Sequence, residues 1–243
     1  MIHIGHVREI TRYPVKSMAG VTTESAMLGW HGIDGDRRFA FRRMEDDSGF
    51  PWLSASRLPE LILYQPIGID ESNGEPLPTH VRSPLGSQLQ LNSAELNAEI
   101  SARFGSEVEL MQLKHGIFDE AAISVISLAT IARIGHESGV GQHLDRRRFR
   151  ANIVVETDRP EPFLEDEWVG GTLTFGTGEQ SPAVKVTLPD LRCVMINLDP
   201  NTAEKDARVM KTVVRLNQNN AGVYATVVRI GTIRVGDRVS LVS

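Results

Sequence analysis

Apolar residues fall in many short clusters rather than in long runs of helical period. FAFRR (39–43), ELILYQPIGI (60–69), THVRS (79–83), SQLQLN (87–92), EVELMQL (107–113), ANIVVET (151–157), GTLTFG (171–176), AVKVTL (183–188), RCVMINL (192–198) and VYATVVRI (223–230) are rich in Val, Ile and Leu. Gly, Pro, Asn and Asp lie between them, which is the punctuation of strands and turns. The chain is therefore expected to be mainly β with a few helices, an α+β arrangement. DESNGEPLPT (70–79) reads as a hairpin loop. GTIRVGDRVSLV (231–242) alternates Ile233, Val235, Val239 and Leu241 around Gly236-Asp237 and predicts a tight hairpin suited to closing a barrel.

Helical patterning is confined to three stretches. NSAELNAEISARFG (92–105) and SLATIARIGHESG (127–139) each begin at a capping side chain and end at glycine. In EKDARVMKTVVRL (204–216), Val209, Val213 and Leu216 share one face. A boundary is expected where KHGIFDE separates a strand from the apolar AAISVISLATI, giving segments 1–115 and 116–243; one continuous domain is the other reading.

Composition narrows the classes of function. The 243 residues carry 31 acids against 26 bases, a net charge of −5, which disfavours nucleic acid and acidic membranes as partners. No apolar run approaches the roughly 18 residues of a membrane span, and MIHIGHVREITRYPVKS lacks the core of a secretory signal. One cysteine cannot form an intramolecular disulfide, so a reducing, cytoplasmic setting is expected. Phosphate-loop, nucleophile-elbow, Cys-x-x-Cys and His-Glu-x-x-His patterns are missing. His3 and His6 read as structural or exposed positions on a strand, because a zinc site needs three or four grouped ligands.

Three basic turns depart from the acidic average: Tyr13-Pro-Val-Lys16-Ser17, Gly35-Asp36-Arg37-Arg38 and Asp145-Arg-Arg-Arg-Phe-Arg150, the last followed by Ala151-Asn152. Brought together at a barrel rim they would suit a phosphate; kept apart they are solvated charged faces. Two readings of Cys193 also stand. In an apolar segment a lone cysteine is a small hydrophobe, whereas beside Arg192 it is stabilised as a thiolate. The second reading needs a bend or strand end at this point, since neighbours on a regular strand face opposite ways. Pro189-Asp190 and Asp199-Pro200 are the turn formers that would provide one.

The ordered set YPVKS (13–17), GIDGDRRF (32–39), RFRANIVV (148–155), EPFLEDEW (161–168), LRCVMINLDPNT (191–202) and GTIRVGDRV (231–239) resembles the MOSC (molybdenum cofactor sulfurase C-terminal) domain proteins. Within them it resembles the group that contains the mitochondrial amidoxime-reducing component and its bacterial relatives. The resemblance implies a β-barrel-like MOSC domain preceded by a smaller N-terminal β-rich domain. It implies that Cys193 binds molybdenum, that a pterin dithiolene completes the metal's ligands, and that Arg192 contacts the cofactor. Lys16, Ser17 and Arg37, or Arg38 after a one-residue slip, match positions at the phosphate end; Arg150 and Asn152 match positions lining the pterin, and Tyr224 an aromatic position nearby. Asp199 is a candidate proton relay.

The implied function is a molybdenum-dependent oxidoreductase that reduces small N-hydroxylated or N-oxygenated compounds. With one cysteine the chain cannot hold an iron–sulfur cluster, so electrons would come from a separate flavin or iron–sulfur protein. A non-enzymatic carrier of the cofactor or of sulfur fits the same residues. Ile196-Asn197 and Ala203 depart from the family's frequent Thr-Thr and Gly, which points to altered contacts on the substrate side.

Overall fold

A computed structural model describes residues 1–72, 74–140 and 144–242. Among them, seven strands form a closed ring: β1 (Ile2–Arg12), β2 (Ile123–Ser127), β3 (Ile153–Thr157), β4 (Thr172–Phe175), β5 (Ala183–Leu191), β6 (Asn220–Arg229) and β7 (Arg238–Val242). Around the ring the order is β1, β3, β2, β6, β5, β4, β7 and back to β1. Every pairing is antiparallel except β2 with β3. A parallel pair needs a crossover, and the chain between β2 and β3 carries helix α2 (Leu128–Ser138). The barrel strand β1 comes from the first dozen residues, whereas the other six lie beyond residue 122.

The expected alternation holds inside the barrel. Val7, Ile10, Val125, Ile153, Val155, Leu173, Phe175, Val184, Val186, Val223 and Val239 fill it with almost no solvent contact. A second core lies under the antiparallel pair Phe39–Arg43 and Val108–Gln112, a three-stranded sheet (65–70, 77–82, 88–90) and helix α1 (Ala94–Phe104). Phe39, Phe41, Leu53, Leu61, Tyr64 and Leu96 dominate it, and Leu198 reaches into it from the far half of the chain. Outside the barrel, α2 and α3 (Ala207–Asn217) enclose a third core with Phe149 and Ile196.

All three helices lie where their patterns place them, and their caps explain the limits. Ser93 and Ser127 accept hydrogen bonds from the backbone N–H of Leu96 and Thr130, at 3.2 and 3.1 Å. Gly105 and Gly139 end α1 and α2 in the left-handed conformation. The 65–70 and 77–82 strands form the expected hairpin. The C-terminal pair does not. The turn at Gly236-Asp237 is present, with the Asp237 N–H donating to Arg234 O at 3.1 Å, but Gly231–Arg234 pairs with Ser25–Gly29 while β7 pairs with β1 and β4. The strands part because both arms find partners in the first thirty residues.

Truncating the barrel core tests this packing. Leu173→Ala removes a side chain with no exposed surface and is expected to cost about 2–5 kcal/mol in urea unfolding. The same change at the largely exposed Leu188 should cost less than about 1 kcal/mol.

Candidate functional site

The three basic turns and the cysteine segment meet between the barrel and the second core. Strand β5 ends at Leu191, and Cys193 caps a short 3-10 turn (Val194–Asn197) with extended backbone. Cys193 is thus not a core residue on a strand; its thiol is free and exposed. Pro189-Asp190 form no turn but lie inside β5, where the pairing with β6 slips. That irregularity and the strand end that follows let residues 190, 192 and 193 line one cavity of about 830 Å³.

Lys16, Ser17, Arg37, Arg150, Arg192, Cys193 and Tyr224 line this cavity, with Phe50, Trp52 and Phe118 as an aromatic wall. Five cations, counting Arg148, face it against the carboxylates of Asp119, Glu120 and Asp190. The local balance is therefore positive in an acidic chain.

Arg37 is the centre of the arrangement. Its guanidinium pairs with the fully buried Asp36, reaches Asp119 Oδ2 at 2.5 Å, and donates to Asn152 Oδ1 and Arg150 O at 3.1 Å each. Burial opposes its charge, but Asp36 and Asp119 outweigh it and hold Arg37 above the ordinary arginine range. Arg150 has a different environment. It donates to Met18 O at 2.5 Å and stacks over the Tyr13 ring at 4.3 Å, and among the described residues it has no carboxylate partner. Burial pushes it down to about 10. It remains cationic at neutral pH, and an anion entering the cavity would relieve the cost.

Lys16 donates to Phe118 O at 2.7 Å and lies 3.9 Å from Asp119; burial lowers its pKa, with Asp119 opposing. Arg192 pairs with Asp190, donates to Phe149 O, and is held through its backbone by Asn219. Asp190 also accepts from Ser124 Oγ at 2.7 Å. Beside it the Tyr224 phenol is pushed up, by burial first and then by Asp190.

Three expected residues stand elsewhere. Asn152 is buried behind Arg37: its Oδ1 accepts from Arg37 and from the Ser124 N–H, and its Nδ2 donates to Thr11 O at 3.3 Å. It orients Arg37 rather than lining the cavity. Arg38 turns the other way and binds the carbonyls of Leu113, Lys114 and Gly116, so the one-residue slip does not describe this site. Asp199 accepts from Arg148 Nη2 at 2.9 Å and braces its own turn through the N–H groups of Asn201 and Thr202. It lies outside the cavity lining.

Three of the residues lining the cavity have left-handed backbone. Ser17, Arg37 and Arg150 adopt positive φ of 67°, 46° and 51°, a region non-glycine residues rarely visit. Each lies in or ends one of the basic turns, and at Arg150 the turned carbonyl accepts from Arg37 at 3.1 Å.

Tyr13, Asp36, Asp119 and the aromatic wall were not singled out by sequence. KHGIFDE reads as a linker, yet Phe118 and Asp119 hold Lys16 and Arg37. The apolar pair Ile117-Phe118 in that polar stretch is the signal that marks it.

A family model described as the MOSC domain matches residues 112–240, more than half of the chain. The chain belongs to the MOSC domain family. MOSC domains are associated with molybdenum cofactor binding. Strand β1, which completes the barrel, lies outside the matched residues. The solved YuaD protein of Bacillus subtilis shares the fold, at 15% identity over 98% of this chain and 95% of its own, with a TM-score of 0.53. YiiM of Escherichia coli is 16% identical over 53% of this chain and 58% of its own, with a TM-score of 0.37. YiiM of Geobacillus stearothermophilus is 18% identical over 51% and 55%, at 0.36. No curated protein matches the sequence.

Two substitutions test the electrostatics of this MOSC site. Asp36→Asn breaks a buried ion pair and is expected to lower unfolding free energy by about 3 kcal/mol or more. Burial disfavours the charged carboxylate of Asp119, but Arg37 and Lys16 more than compensate and hold its pKa below the ordinary value. Its stabilisation is therefore present above about pH 4 and lost as pH falls through the lower folded value. Melting temperatures between pH 2.5 and 7 should show a flatter acid limb for Asp119→Asn than for wild type.

Proposed function

We propose that this MOSC protein binds a molybdenum–pterin cofactor through Cys193 and reduces N-hydroxylated or related N-oxygenated compounds. Electrons would come from a separate flavin or iron–sulfur protein. The observation that carries this reading is a single exposed thiol at the mouth of a cavity with five cationic side chains. A soft thiolate suits molybdenum, and the guanidinium groups suit a pterin phosphate.

The charge left over fits such a ligand. Arg150 lines the cavity without a carboxylate partner among the described residues, held by Met18 O and the Tyr13 ring. An anionic group bound there would offset the cost of burying its charge.

Cys193 would be the protein's metal ligand. Lys16 and Arg37, with Ser17, would hold the phosphate end, Arg150 would line the pterin, and Asn152 would keep Arg37 in place from behind. Arg192, fixed by Asp190 and Phe149, would sit against the cofactor beside the thiolate. When bound, the molybdenum centre would supply a two-electron couple. Reduction of an N-hydroxyl group takes two electrons and two protons, breaks the N–O bond, and forms an N–H bond and water. Tyr224, whose phenol is pushed up by burial and then by the Asp190 carboxylate, keeps its proton at neutral pH and lines the cavity together with Cys193. The apolar Leu191 and Val194 line the same cavity as Cys193 and would offer apolar contact to a substrate.

The test is to purify wild type and Cys193→Ala from a cofactor-producing host. Molybdenum and pterin are measured, then benzamidoxime reduction with dithionite-reduced viologen. About one molybdenum per chain and turnover that vanishes with Cys193 are expected. Bound cofactor without turnover on a panel of N-hydroxylated substrates would replace the reductase with a carrier. Folded wild type without metal or pterin would overturn both.

A further inference from the structure

We propose that His3, His6 and Asp158 form a site for a divalent transition metal of the zinc class, on the outside of the barrel and independent of the cofactor cavity. One ligand atom from each residue lies within 4.8 Å of the others.

On a regular strand, residues three apart point to opposite faces. Here β1 carries a bulge. His3 is opposite Ser240 and Gly5 is opposite Val239, so Ile4 is an extra residue against β7. The insertion converts an odd spacing into an even one and puts both imidazoles on the outer face, with ring centroids 4.9 Å apart. Gly5 lets the bulge form. Its φ is +151°, and a Cβ there would come within 2.1 Å of Glu156 O, so β1 and β3 approach too closely for any side chain at this position. Asp158 follows β3 directly, and its N–H donates to Ile4 O at 3.0 Å. The three residues thus meet across the seam where β7, β1 and β3 adjoin.

Hydrogen bonding around His3 supplies the second argument. Its Nδ1 lies 3.1 Å from Val239 O, and its Nε2 lies 3.2 Å from Asp158 Oδ2. Both neighbours only accept, whereas a neutral imidazole has one N–H to give. With that N–H donated to the Val239 carbonyl, the Nε2 lone pair faces a carboxylate oxygen. Such a contact needs a cation between the two, either a second proton or a metal ion. A backbone carbonyl fixing one nitrogen while the other binds is the usual support of a metal-ligating histidine. The ring of His6 brings a second nitrogen to the same place, which a simple His–Asp pair does not require.

Two imidazoles and one carboxylate are a donor set for Zn²⁺ and its first-row neighbours. At bond lengths of about 2.0–2.2 Å, tetrahedral ligand atoms stand roughly 3.4 Å apart, so small side-chain rotations close the present spacing. His6 and Asp158 are exposed and His3 is partly so, leaving the remaining positions to water. The bound ion would clasp the first turn of β1 to the end of β3.

The test uses metal-stripped full-length protein titrated with Zn²⁺ alone by calorimetry, as wild type and as Cys193→Ala so that the thiol is counted out. One equivalent bound in the micromolar range by both is expected. Each of His3→Ala, His6→Ala and Asp158→Asn should weaken binding by at least about tenfold. Co²⁺ should give visible absorption bands that the same substitutions abolish, and Zn²⁺ should raise the melting temperature of wild type but not of His6→Ala. Affinity unchanged in His6→Ala and Asp158→Asn, each confirmed folded by circular dichroism, would overturn the proposal. So would wild-type binding no tighter than about 1 mM, the mark of an adventitious ion only.

Discussion

The buried ion pair of Asp36 and Arg37 is the contact on which the rest of the site depends. Asp36 accepts from the Tyr13 N–H at 2.6 Å through its other oxygen, so one carboxylate fixes both the YPVKS turn and the guanidinium beside it. Arg37 in turn binds the carbonyl of Arg150, the side chain of Asn152 and the carboxylate of Asp119. Asn152 is tied by backbone bonds to Thr11 on β1 and Ser124 on β2. The pair therefore joins the second core to the barrel at the point where the cavity opens. A buried pair of this kind gains little net energy over an apolar contact, but losing one partner is costly. Its value here is positional.

Charge distribution follows from the same knot. The chain is acidic overall, with a net charge of −5, yet the cavity is positive because five cations face three carboxylates there, and most of the acids around it are committed to ion pairs. Asp36 and Asp190 are buried against Arg37 and Arg192, and Asp119 is shared between Arg37 and Lys16. Arg150 is the cation left without a carboxylate among the described residues, held only by a carbonyl and an aromatic face. Long-range repulsion of polyanions and local attraction for one small anion are thus compatible. Left-handed backbone at Ser17, Arg37 and Arg150 is tolerated because surrounding hydrogen bonds hold each turn.

Local signals were legible in the sequence. Helix caps, the 65–82 hairpin and the dominance of strands follow from residue type and spacing. The basic turns, together with the cysteine, marked most of the cavity. What could not be read is convergence between distant positions. Lys16 and Phe118 are 102 residues apart, and Arg37 and Asn152 are 115 apart. For that reason Asp119 looked like linker, Tyr13 went unmarked within its basic turn, and Arg38 stood as an alternative to Arg37. The Gly236-Asp237 turn was legible but its strand partners were not, because competition from Ser25–Gly29 is a tertiary matter. His3 and His6 were read with strand spacing, and the single extra residue that brings them together is invisible without the partner strand.

In a MOSC protein with this cavity, the proposed chemistry rests on the Cys193 sulfur as a ligand of bound molybdenum. X-ray absorption at the molybdenum edge of cofactor-loaded protein tests it most directly, because the number of sulfur neighbours separates a protein thiolate from the two sulfurs of a pterin dithiolene. Three sulfur neighbours in wild type, falling to two in Cys193→Ser with the cofactor still bound, are expected. Equal sulfur counts in the two proteins would contradict the claim and leave Cys193 a bystander at the cavity mouth.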